Sequence, residues 1–153
     1  MKPTRLAVRG VLLKDNLMGI MYVEKHDCYL FPGGEVEPDE SLEACVIREL
    51  EEESGYVTEV VEHLTQVIYE EPELIHHNEI YVCRVIGNGT LHKTQLEEDW
   101  GINFHWMNPE ELVAFCKQTT TTYPTSIIHQ SLCGVVHNVI DTLTKKGYLN
   151  GSD

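Results

Sequence analysis

Three glutamates, Glu49, Glu52 and Glu53, stand at spacings of three and four residues in a run that reads Gly34-Glu35-Val36-Glu37-Pro38-Asp39-Glu40-Ser41-Leu42-Glu43-Ala44-Cys45-Val46-Ile47-Arg48-Glu49-Leu50-Glu51-Glu52-Glu53-Ser54-Gly55-Tyr56. On a helix those steps put all three carboxylates on one face, a few ångströms apart. Like charges that close repel unless a cation stands between them. Hard, anionic oxygen donors suit Mg²⁺ or Mn²⁺, and Mg²⁺ is usually held by a few carboxylates together with a substrate's phosphates. Arg48 lies one turn before Glu52 and can fix that carboxylate's rotamer, leaving the others for the metal.

The elements that must carry these groups follow from the same run. Leu42, Cys45, Val46 and Leu50 form an apolar stripe at helical spacing, so a helix is predicted from about Ser41 to Ser54, with Gly55 supplying the left-handed residue that ends it. Glu49, Glu51, Glu52 and Glu53 crowd its last two turns, where the helix dipole prefers Lys or Arg. A local rule broken in this way points to function. Ahead of the helix, Pro32-Gly33-Gly34 is predicted as a tight turn whose backbone, lacking two Cβ atoms, comes close to the same metal or phosphate.

Gly34, five residues, Glu40, seven residues, then Arg48-Glu49-Leu50-x-Glu52-Glu53-x-Gly55 resembles, position for position, the signature of the Nudix hydrolases. The one departure is Tyr56, where the pattern prefers an aliphatic residue for packing. The resemblance implies hydrolysis of a nucleoside diphosphate linked to another group, dependent on Mg²⁺ with Mn²⁺ as a substitute. It also implies that Glu49, Glu52 and Glu53 hold the metal, with the Gly33 carbonyl adding a ligand, that Arg48 orients one of the glutamates, and that Glu40 supports helix and loop. Bound metal would spread the charge developing on the phosphate and acidify a water for attack at phosphorus. The general base is then Glu52 or Glu53, or an acid in a later loop. The run Leu96-Glu97-Glu98-Asp99, read as a loop before the strand that ends near Trp106, offers Glu98 for that role.

Composition narrows the partners. The chain has 153 residues, 42% of them hydrophobic, enough for a single domain spanning 1–153. A net charge of −14 argues against nucleic acid or an anionic membrane, both of which need a basic surface, and leaves a small nucleotide-like substrate. Cys28, Cys45, Cys83, Cys116 and Cys133 are odd in number and lack CxxC spacing, as expected of reduced core cysteines in a cytoplasmic protein. No apolar leader or membrane-spanning segment is visible. Monomer and homodimer both remain open.

Strands are predicted over Leu6–Leu13, Leu17–Val23, Cys28–Phe31, Val57–Tyr69, Glu79–Ile86 and Ile102–Met107. Helices are predicted from Pro109 to about Lys117 and from Thr125 to Lys146. Together they make an α/β chain with a mixed sheet between helices, the α/β/α sandwich that the resemblance implies. His76-His77 falls between two strands and is read as a loop pair, not zinc ligands, because no third donor stands at metal spacing. Thr119 to Thr122 reads as a linker between helices. Tyr29, Tyr69, Tyr81 and Trp100 offer flat faces for a base, and Tyr29 is placed with Gly33 and Gly34 in the substrate site, although aromatics on strands mostly pack. Pro72, sixteen residues beyond the motif, resembles a marker of ADP-ribose pyrophosphatases, whereas the compact length resembles nucleoside triphosphate hydrolases. A Nudix-fold nucleotide binder that has lost catalysis is the alternative to an enzyme.

Overall fold

The computed structural model describes residues 1–149. Two long antiparallel strands, β5 (Tyr56–Glu71) and β6 (Leu74–Asn88), form a hairpin whose second strand runs parallel to β1 (Thr4–Lys14). β1 continues to β2 (Leu17–Val23) and then β3 (Cys28–Leu30), giving the order β3-β2-β1-β6-β5. The short β4 (Gly33–Glu35) pairs with β1, and β7 (Ile102–Met107) pairs with β2. One parallel pairing among antiparallel ones makes the sheet mixed.

Alternation along β1 decides what covers each face. Val8 and Leu12 point toward α1 (Leu42–Ser54) and pack with Cys45, Val46 and Leu50. Val11, one step out of phase, joins Ile80, Val82, Leu112, Val136 and Val139 on the opposite face, under α3 (Pro109–Thr122) and α4 (Ile127–Lys145). Helices therefore lie on both sides of the sheet. Ser41 caps α1, its hydroxyl accepting the Ala44 N–H at 3.1 Å, and Gly55, at φ 81°, closes the other end. Tyr56, the residue that departs from the aliphatic preference, packs its ring against Phe104 and Trp106 and accepts the Trp106 indole N–H at 3.3 Å, so an aromatic does the packing instead.

Four expectations need correction. Gly33 and Gly34 belong to a strand, β4, because a Gly33 Cβ would collide with the Val8 carbonyl oxygen and only glycine lets the two backbones pair so closely. His76 and His77 lie within β6, whose pairing with β5 continues from Asn88 to Leu74 past the polar stretch that sequence periodicity reads as loop. Pro72 sits in the turn that joins those two strands. Thr119 to Thr122 complete α3, where the Thr120 and Thr121 hydroxyls bond back to the Cys116 and Lys117 carbonyls at 3.0 Å. Glu97 to Asp99 lie in a helix, α2 (Gln95–Trp100), started by a Thr94–Glu97 capping box. All five cysteines are free and buried. Among the described residues no helix is long and apolar enough to cross a membrane.

Candidate active site

The C-terminal half of α1 faces β4 and carries the glutamates of the motif. Glu53 is nine-tenths buried, and one of its carboxylate oxygens accepts the Gly33 N–H at 2.8 Å. Burial pushes its carboxyl up to about 8, against the opposing pull of Arg9 and of the Gly33 N–H. Glu49 is also held above the usual carboxylate range by burial. Its carboxylate lies over Gly34, where a Cβ would stand 2.7 Å from Oε1. Gly34 thus leaves room for the Glu49 carboxylate, while Gly33 lets β4 pair closely with β1 and donates its N–H to Glu53.

Arg48 binds more carboxylates than the expected one. Its Nε and Nη2 fork onto Glu40 at 2.7 and 3.0 Å, while Nη1 reaches Glu49 at 2.9 Å and Glu52 at 3.3 Å. The fork holds the Glu40 carboxyl down at about 2. Glu52 is the least tied and the most open of the helix set, 35% exposed at its side chain against 15% for Glu49. Glu51 faces away from this group and accepts the Thr90 N–H at 3.3 Å. With Gly89 N–H on the Gly55 carbonyl and His92 N–H on that of Glu52, at 2.8 Å each, it fastens the segment before α2 to the end of α1.

As these side chains stand, Arg48 and the Gly33 N–H occupy the carboxylates, and no three His, Cys, Asp or Glu side chains among the described residues surround a common point. The donor set nevertheless fits a hard divalent cation. It is all oxygen and multiply anionic, and its most buried carboxyl is raised for want of a positive neighbour strong enough to offset desolvation. If the Gly34 hollow serves Glu49, Gly34→Ala should raise the Mg²⁺ concentration needed for half-maximal activity about tenfold, by an estimate typical of groups that orient a ligand. A Mg²⁺ titration of turnover checks this, and an unchanged midpoint would show that the hollow is incidental.

Arg9 is the residue that sequence reading missed. Its Nε donates to Asn78 Oδ1 at 3.3 Å and its Nη1 to the Phe31 carbonyl at 3.1 Å, while its charge acts on Glu53 and Glu49. Burial lowers its own pKa. A charge inside the apolar run Leu6-Ala7-Val8-Arg9-Gly10-Val11-Leu12 was the available signal. Arg9 also lines a cavity of about 160 Å³ walled in part by α4, with Leu30, Tyr69, His76, Trp100 and Leu132 among its lining residues.

The other candidates separate. Tyr69 stacks on His76 with ring centroids 4.6 Å apart, and both line that cavity, as does Trp100. Tyr29 points to the opposite side of β3 from Cys28 and Leu30, which line the cavity, and packs on Tyr22 and Phe115. Tyr81 is buried in the core beneath α1. Glu98 is exposed on α2, and of that run it is Glu97 whose charge reaches Glu53, although its carboxylate also accepts the Thr94 N–H at 2.9 Å.

The family pattern described as NUDIX domain matches residues 3–126. Among solved structures, a NUDIX hydrolase from Nitrosomonas europaea superposes with a TM-score of 0.72 at 16% identity, covering 94% of this chain and 90% of that one. The ORF135 protein of E. coli gives 0.61 at 20% identity, covering 99% and 96%. An ADP-ribose pyrophosphatase from Streptococcus suis gives 0.54 at 16% identity, covering 76% and 91%. At these identities the structures speak for the fold. A search of curated proteins finds no significant match.

Proposed function

The chain belongs to the Nudix family, and on that premise we propose that it is a pyrophosphohydrolase that uses Mg²⁺, with Mn²⁺ as a substitute, to cleave a nucleoside diphosphate linked to another group. The substrates in view are a nucleoside triphosphate, oxidised forms included, or an ADP-ribose-like compound. The observation that carries this reading is the line from the glutamate face of α1, where Glu53 and Glu49 lie within reach of the Arg9 charge, through Arg9 to the apolar cavity.

That cavity is smaller than the roughly 300–1,000 Å³ of a site for a whole drug-sized ligand, so it takes one moiety while the phosphates extend toward α1. Arg9 spends two of its five N–H groups on Asn78 and Phe31 and retains three for a phosphate between the two regions. Glu49, Glu52 and Glu53, with the Gly33 carbonyl, would hold the metal, which supplies Lewis-acid charge and an acidified water. Glu52, the most exposed of these three glutamates, would be placed to accept a proton from an attacking water. Glu98 on α2 is the acid to compare with it by Glu→Gln exchange.

Arg9→Gln should lower kcat/KM by about a hundredfold, an order expected for loss of a charged donor to a phosphate oxygen, with Mg²⁺ affinity little changed. Steady-state kinetics with a Mg²⁺ titration distinguish that result from a general loss of the site. The reading itself is tested with a panel of dNTPs, oxidised dNTPs, ADP-ribose, dinucleoside polyphosphates and nucleotide sugars, with and without Mg²⁺. Hydrolysis in ¹⁸O-water should label a phosphate product. A folded protein that binds Mg²⁺ and these compounds but turns none over would instead be a nucleotide-binding regulatory module.

A further inference from the structure

The hairpin wall of the cavity carries a buried nitrogen without a partner. Tyr69 and Glu71 alternate on β5 and His76 and Asn78 on β6, and because Tyr69 pairs directly with His76 all four side chains share the face that lines the cavity. Tyr69 holds the His76 ring by stacking, with centroids 4.6 Å apart and planes 18° from parallel. His76 Nε2 is shut off from solvent and lacks a hydrogen-bond partner, since Glu71 Oε2 stands 3.1 Å away but out of line. A buried polar atom left unmet costs stability until a ligand meets it. The carboxylate favours the tautomer that carries its proton on Nε2, so one donor and two acceptors stand side by side. Arg9 and Asn78, also in this wall, are already joined at 3.3 Å. Most of the remaining lining is apolar, Leu30, Ile102 and Leu132 included.

We propose that the cavity seats a guanine base, with Glu71 and His76 reading its Watson–Crick edge. The inference rests on the reading of the cavity as the seat of one nucleotide moiety, and it names that moiety. A ribose would set several hydroxyls against apolar walls, whereas a flat ring system presents apolar faces to them and confines its polar atoms to its edge. The edge then decides. Guanine offers one acceptor, O6, next to two donors, N1–H and the N2 amino group, so that O6 takes the His76 Nε2–H while the two donors take the two oxygens of Glu71. Adenine and cytosine set a single donor beside an acceptor and can engage one carboxylate oxygen only. Uracil and thymine set a second acceptor where Glu71 needs a donor, and like charges then face each other. Hypoxanthine differs from guanine by the missing amino group alone, which isolates one hydrogen bond to Glu71.

The test measures binding of nucleoside monophosphates to the full chain by calorimetry, since these have no phosphoanhydride bond to cleave. GMP should bind about tenfold more tightly than IMP, the factor expected for one hydrogen bond to a charged acceptor, and more tightly still than AMP or UMP. Glu71→Gln should bring the GMP-to-IMP ratio close to one, because an amide offers one accepting oxygen where the carboxylate offers two. His76→Phe keeps a ring to stack on Tyr69 and removes the donor, so it should weaken GMP and IMP alike and leave their ratio intact. Glu70→Gln, on the other side of β5, should change neither. GMP bound no better than IMP or AMP, or not bound at millimolar concentration, would overturn the proposal. So would a GMP-to-IMP ratio that survives Glu71→Gln in a protein of native circular dichroism. The activity fails separately: guanine preference without turnover of any triphosphate removes the pyrophosphohydrolase and keeps the base, and turnover without base preference does the reverse.

Discussion

Replacing Glu53 by Gln should cut kcat on the order of a thousandfold while making the metal-free protein more stable at neutral pH. The loss would follow from removing the most buried carboxylate of the proposed cation site, in the range found when a preorganised electrostatic group is deleted from an active site. The gain follows from linkage. Folded, the Glu53 carboxyl lies at about 8 against an ordinary 4.5, so between those values the native state keeps a proton that the unfolded chain releases. Its contribution to stability is complete below about 4.5 and is lost as pH rises through about 8. Gln cannot ionise, and its amide oxygen still accepts the Gly33 N–H, so the variant should lack this decline and gain up to about 4 kcal/mol at pH 8. Urea denaturation of the chelator-treated proteins at pH 5 and pH 8 measures it. Equal loss of stability and activity would make the acidic face a structural element.

Arg48→Lys should also be damaging, with kcat/KM falling by about ten- to a hundredfold although the charge is kept. One guanidinium contacts Glu40 with two nitrogens and Glu49 and Glu52 with a third, and an ammonium cannot reproduce that fork. The variant should also move acid unfolding. Glu40, held at about 2, contributes stability that is complete above about 4.5 and is lost as pH falls toward 2. Once the fork is gone its carboxyl returns toward the ordinary range, so the acid midpoint should rise. Turnover near wild type together with an unmoved acid limb would show that Arg48 does not organise the site.

How much of this was legible beforehand depends on the range of the interaction involved. The helix carrying the glutamates, its Ser41 start and its Gly55 stop are local: they depend on residues within a turn or two of one another, and the sequence displays them directly. The same holds for β2 and β7, whose bounds were read without error, and for the mixed α/β class. Alternation and helical periodicity fail where polar residues enter a paired strand. That is why β5 and β6 are longer than predicted and why periodicity alone assigns His76 and His77 to a loop.

The environment of each functional side chain belonged to the tertiary structure. Sequence spacing placed Arg48 beside Glu52, but only the return of the chain before α1 brings Glu40 into its fork. Spacing grouped three glutamates as equals, while the approach of β4 buries Glu53 and leaves Glu52 open. Arg9 enters the site, and Tyr29 stays out of the cavity, through the direction each side chain takes from its strand. Residue type and spacing on one element fix which groups share a face; which of them are buried, paired or opposed is fixed by the elements that pack against that face, and those lie far away along the chain.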